Sequence, residues 1–222
     1  TLTLAPTNRY TRETGSTVRF GASGQTGTIV LNDATISTAP STSVAVNFGT
    51  VRLNGANVAV GMFGSISVSG VTVAANAAIE ANGFATRIEN LAGAGTVRNA
   101  QTAAAATTLT LDSTANTTFS GVIENGTGAG ALGLTKTGAS SLTLSGANTY
   151  TGATNVTAGT LLVNGSLGGA GAVTVAAGAT LGGTGSIAGA TLVNGTLSAG
   201  TSPGTLTFGG NLALGATSAS TF

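Results

Sequence analysis

The 222-residue chain has no cysteine, no histidine and no tryptophan, three prolines, and only 6% charged residues, where an ordinary soluble domain carries about 25%. Each shortage removes a class of chemistry. Without cysteine or histidine there is no disulfide framework, no thiolate or imidazole metal site, and no Ser-His-Asp or Cys-His nucleophile. Seven Lys plus Arg against six Asp plus Glu leave a net charge of +1, too little to neutralise a run of phosphates, so nucleic acid is not an expected partner. Glycine interrupts every apolar run short of the length that would span a bilayer, so no transmembrane helix is expected. The chain opens Thr1-Leu2-Thr3-Leu4, without Met or a basic leader, which reads as a processed protein or a segment of a longer one.

What is present favours strands. Threonine (41 residues), alanine (38) and glycine (36) dominate, 41% of the chain is hydrophobic, and Glu plus Lys total five. That mix suits pleated, half-buried segments joined by tight corners, and offers little to a solvated helix face. Short alternating runs recur: Thr17 to Phe20, Thr50 to Leu53, Val71 to Val73, Thr108 to Leu111, Ser141 to Leu144, Val173 to Val175 and Thr205 to Phe208. Each predicts a strand with one face in and one out. Asn-Gly pairs at 54–55, 82–83, 125–126, 164–165 and 194–195 mark corners or turns, because both residues accept positive φ. Residues 71–83 (VTVAANAAIEANG) align with 173–185 (VTVAAGATLGGTG), and Leu142, Leu161 and Leu181 recur at nearly equal intervals. Their interval, roughly 20 residues, is the coil length of a β-solenoid, in which inward side chains stack into aliphatic ladders. We therefore expect an all-β chain, a single parallel β-helix over 1–222, with more charged coils in 1–115 and nearly uncharged ones in 116–222. An antiparallel β sandwich is the alternative.

The stretch LTKTGASSLTLSGANTYTGATNVTAGTLLVNG, residues 134 to 165, resembles the passenger-associated repeat of autotransporters. The flanking segments Asn116 to Ile123, Val173 to Gly185 and Ser202 to Leu206 are similar to sequence that surrounds that repeat, extending the resemblance over about 116 to 214. The resemblance implies a right-handed parallel β-helix at a bacterial cell surface, a stalk or adhesive passenger attached to an outer-membrane barrel that this sequence does not contain.

Several constellations are candidates for chemistry. Gly128, Gly130 and Gly133 satisfy G-x-G-x-x-G, but no helix pattern and no acid follow, so they read as a turn and no cofactor is expected. Glu80 and Glu89, brought together by neighbouring coils with Arg87 or Arg98, would be the acids of a polysaccharide-active enzyme; a non-enzymatic role is the expectation, with no catalytic or metal residues. Tyr10, Phe20, Phe48, Phe63, Phe84, Phe119 and Tyr150 read as core in preference to sugar-stacking platforms. Asn-x-Thr or Asn-x-Ser triplets at Asn116, Asn125, Asn155, Asn164 and Asn194 read as turn chemistry. Both ends alternate and carry no charge, without the polar cap that usually blocks an open β edge. Thr1, Leu2, Thr3, Leu4, Leu212, Leu214 and Phe222 are thus the expected self-association residues, pairing copies of the chain end to end or laterally into a filament. Cell-surface glycans are the second expected partner class.

Overall fold

The computed structural model describes residues 2–4, 17–20, 27–32, 43–54, 70–100, 106–128, 130–200 and 204–221. Among these residues every regular element is a strand, and every strand pairing is parallel. The strands form four sheets. Sheet A holds six strands, from Leu2–Leu4 to Val122–Glu124; sheet B ten, from Thr17–Phe20 to Ala219–Thr221. Sheet C holds seven, from Thr86–Glu89 to Leu212–Leu214, and sheet D four, from Ala147–Asn148 to Thr207–Phe208. From Ala77 onward the chain visits A, C and B in rotation, and from Ala147 sheet D takes the place of A.

This is a three-faced parallel β-solenoid. The antiparallel sandwich fails because the Gly and Asn signals do not reverse the chain: they turn it onto the next face, and each strand then pairs with its equivalent one coil away. Sheet B crosses residue 115 without a break, Gly93 pairing with Phe119.

The alternation seen in the sequence becomes columns. In sheet B, Leu142, Leu161, Leu181 and Leu197 stack in register and are all buried. The spacing is looser than a fixed repeat. Equivalent positions along sheet B are Thr117, Leu142, Leu161, Leu181, Leu197 and Ser220, whose intervals are unequal. Extra residues are absorbed at the corners, where lengthening a loop costs little. The similar segments 71–83 and 173–185 share a corner, with Ala77 N donating to Ala74 O at 2.9 Å and Ala179 N to Ala176 O at 3.0 Å. The first corner leads from sheet B to A and the second from C to B. The repeated sequence therefore encodes a bend that is reused on different faces.

The corners explain the glycine content. Where sheet B passes to A or D, Gly95, Gly121, Gly146, Gly165 and Gly185 succeed one another coil by coil. A Cβ on any of the last four would overlap the carbonyl oxygen of the glycine one coil below. No positive φ is involved; close backbone approach alone requires glycine there. The corner from C to B uses a different device, left-handed residues: Asn90 (φ 48), Gly138 (φ 76), Gly159 (φ 65) and Gly178 (φ 81).

Candidate functional site

Nine charged residues fall within the described residues, and apart from Arg19 on sheet B the coils sort them onto two faces. On sheet A, Arg52, Glu80, Arg98 and Glu124 stand in register on four successive strands, giving alternating signs up the column. Arg52 Nε donates to Glu80 Oε2 at 2.7 Å, and Arg98 donates through Nε (3.0 Å) and Nη2 (2.7 Å) to Glu80 Oε1. Arg98 Nη1 lies 3.8 Å from Glu124. The Glu80 side chain is 4% exposed, whereas those of Arg52 and Arg98 are 39% and 31% exposed. A carboxylate so deeply covered needs both guanidinium groups to offset its lost hydration.

The second quartet, Arg87, Glu89, Asp112 and Lys136, lies on sheet C. Arg87 Nη2 forms an ion pair with Asp112 Oδ2, and Thr137 Oγ1 donates to Asp112 Oδ1 at 3.1 Å. Burial pushes the Glu89 carboxyl above its ordinary range and the Asp112 charge adds to this; a 3.1 Å hydrogen bond from Thr114 and the Arg87 charge act the other way. Glu80 and Glu89, the acids of the alternative enzyme reading, therefore stand on different faces. Their strands, Ala77–Glu80 and Thr86–Glu89, are consecutive sides of one coil. The structure joins Arg98 to Glu80 but forms no Glu80–Glu89 pair.

Lys136 is the residue that sequence reasoning undervalued. It occupies an inward column, Ile88, Leu111, Lys136, Val156, Val175, Val193 and Leu214, and has no exposed surface. Its ammonium donates to Thr137 O (2.7 Å), Gly138 O (2.9 Å) and Ala158 O (3.2 Å), so its three donors are matched by three carbonyls. Burial holds its pKa down at about 8, with the Asp112 charge opposing. The signal was there: in LGLTKT, Lys136 is in phase with Leu132 and Leu134.

Other polar residues act in the same manner. Buried Asn148 accepts from Ile123 N (3.0 Å) and donates to Gly146 O (3.0 Å) and Ser166 O (3.2 Å). It thereby bridges the place where sheet A gives way to D. Buried Tyr150 shares a 2.7 Å hydrogen bond with Thr154, and burial raises the phenol pKa. Asn125 accepts from Leu132 N (2.9 Å) and Thr151 N (3.1 Å), Asn116 from Ser141 N (2.8 Å) and Asn164 from Thr184 N (3.2 Å). Those three triplet asparagines tie corners, as expected; Asn155 is exposed on sheet C and Asn194 partly exposed.

Of the aromatic residues, Phe119 and Tyr150 are core, Phe48 and Phe84 are partly exposed, and Tyr10, Phe63 and the side chain of Phe20 lie outside the described residues. Gly133 is in the strand Leu132–Thr137, with Gly128 and Gly130 in the turn before it. Among the described residues, no group of three or more acids is placed to hold a metal ion, and no helix is long and apolar enough to cross a membrane. Leu2–Leu4 forms the edge strand of sheet A and Leu212–Leu214 that of sheet C. Leu212 and Leu214 are 41% and 49% exposed. Thr1 and Phe222 lie outside the described residues.

Residues 134–163 match the family described as passenger-associated-transport-repeat. The match covers somewhat more than one coil, from strand Leu132–Thr137 on sheet C around to Thr160–Val163 on sheet B. It contains Lys136, Asn148, Tyr150 and Thr154, the residues whose side chains hold the interior together. The chain thus carries a passenger-associated repeat folded as a coil of a parallel β-solenoid. No curated protein and no solved structure shows a significant match.

Proposed function

We propose that this chain is a structural module of a bacterial surface passenger, a non-enzymatic extracellular β-solenoid whose role is to extend and present itself outside the cell. The observation that carries this reading is the coincidence of the passenger-associated repeat with a coil whose buried Lys136 and Asn148 side chains are bonded to backbone of their own and of neighbouring coils. Such a sequence gives its polar chemistry to stacking. Display of the chain on an outer-membrane barrel tests it. The parent is expected to reach the surface as a protease-resistant species; a variant lacking 134–163 is expected to be degraded or retained. Equal surface yield and resistance without the repeat would overturn the reading.

Exposed Leu212 and Leu214 support a second element of the proposal, association with further copies of the chain. Both continue columns whose preceding members, Thr191 and Val193, are buried. A rung from another copy, supplied by the strand at Leu2–Leu4, would cover them. Negative-stain electron microscopy over a concentration series is expected to show fibres of uniform width that disappear in Leu212→Lys/Leu214→Lys. Isolated particles at every concentration would refute self-association.

A further inference from the structure

The outer face of sheet A carries a second column beside the ion ladder. Thr50, Ala78 and Thr96 are stacked in register, two positions along the strand from Arg52, Glu80 and Arg98. Ala78, between two threonines, leaves a notch. It opens into a groove of about 280 Å³ whose lining includes Thr50, Ala75, Asn76, Ala78, Thr96 and Arg98. Arg98 lines the groove, and both it and Arg52 are aimed by the same buried carboxylate, to which Arg98 gives Nε and Nη2. Arg52 uses Nε on Glu80, and its two terminal nitrogens have no hydrogen bond among the described residues; Arg98 Nη1 has only the 3.8 Å approach to Glu124. Glu80 therefore acts as a brace that holds the Nε–Nη2 edge of Arg98 and leaves the terminal Nη1–Nη2 edge of this groove-lining guanidinium unbonded to it.

We propose that this groove binds a carboxylated sugar residue of an acidic polysaccharide. A planar guanidinium held in one orientation matches a carboxylate through paired N–H bonds. The Ala78 methyl offers an apolar floor for the C–H face of a sugar ring. Thr50, Thr96 and Asn76 place hydroxyl and amide groups around that floor, where ring hydroxyls lie. The quartet of two arginines and two glutamates has no net charge, so recognition is short-range and geometric. A polyphosphate, which depends on accumulated positive charge, is the wrong partner. Binding at this groove does not depend on how the chain is displayed.

Affinity electrophoresis of the full chain in gels containing polygalacturonate, heparin, dextran or double-stranded DNA tests it. Polygalacturonate is expected to retard the parent protein and neutral dextran not. Arg98→Lys keeps the charge and loses the fork. Ala75→Phe, at an exposed turn residue, fills the groove without touching an ion pair. Each is expected to weaken retardation at least tenfold, with the parent's circular dichroism and melting temperature retained by Ala75→Phe. No retardation by polygalacturonate overturns the proposal, as does parent-like retardation of folded Ala75→Phe. Equal retardation by DNA would show unspecific charge attraction, and retardation by heparin alone would assign the site to sulfate; both outcomes also overturn it.

Discussion

Gly146→Ala is the sharpest test of how closely the coils approach. A Cβ at this position falls well inside 3.0 Å of the Gly121 carbonyl oxygen, and the obstacle is backbone, with no flexible side chain to move aside. Relief requires the corner to open by about 1.5 Å to restore an ordinary van der Waals contact. Two backbone hydrogen bonds bracket this corner, Ser145 N to Phe119 O at 3.0 Å and Ser166 N to Gly146 O at 3.1 Å. Stretching both forfeits about 1 kcal/mol each, and residual overpacking adds roughly 1 to 3 kcal/mol. The expected loss is therefore about 3 to 5 kcal/mol, less the few tenths that alanine recovers from the unfolded chain. Gly168→Ala is the matched control. Its Cβ would meet only Asn148 O, at 3.4 Å, without a positive φ, so it is expected to be neutral or stabilising by up to about 1 kcal/mol. Urea unfolding followed by circular dichroism, with hydrogen exchange at the two corners, measures both. If the two variants unfold at the same midpoint, the coils do not approach as closely as described and the account of the glycine ladder is wrong.

Leu161→Ala removes the centre of the Leu142, Leu161, Leu181 column and is expected to cost about 2 to 5 kcal/mol in the same unfolding assay. Lys136→Ala takes away an alkyl stem and the ammonium donor of three carbonyls, of which Thr137 O keeps Ser113 N, and is expected to cost at least about 3 kcal/mol. The Lys136 pKa is about 8 in the fold, against an ordinary 10.5. Between these values the unfolded chain binds more protons, so stability rises with pH through that window; the urea midpoint is expected to climb from about pH 8 to about pH 10 in the parent and stay flat in Lys136→Ala. Glu89 has the opposite sense for an acid, since its raised folded pKa makes ionisation unfavourable to the fold. Glu89→Gln is expected to raise the midpoint at pH 7 and to leave it unchanged below pH 4, which paired titrations would check.

Much of this architecture is visible in the residues. Leu142, Leu161 and Leu181 were readable as one column because near-equal steps leave the alternation in phase, and Asn82-Gly83 and Gly126 as corners because their backbone needs positive φ. The partners of the charges were not readable. Glu80 meets Arg98 after 18 residues and Arg52 after 28, and no local rule yields both spacings, since corner length varies while strand register does not. The suggestion that neighbouring coils join Glu80 and Glu89 fails for the same reason: the segment between them spans a corner, so they lie on consecutive faces of one coil. Lys136 shows a conflict between two rules, its alternation placing it inside and its charge outside. Alternation prevailed because three backbone carbonyls were there to receive it.

The glycine ladder constrains how such a chain can change length. At Gly121, Gly146, Gly165 and Gly185 the backbone passes the same point of the cross-section along the same path. A cut from one of these glycines to the next removes a complete circuit, and the joined ends inherit the old neighbours' contacts with every face still in phase. A deletion of a single residue inside a strand breaks the alternation and turns buried columns toward water, whereas the corners absorb changes in loop length. Reach changes in increments of one circuit, about 4.8 Å each, and duplication or loss of a whole coil can be silent for the rest of the molecule while a single-residue slip inside a strand cannot.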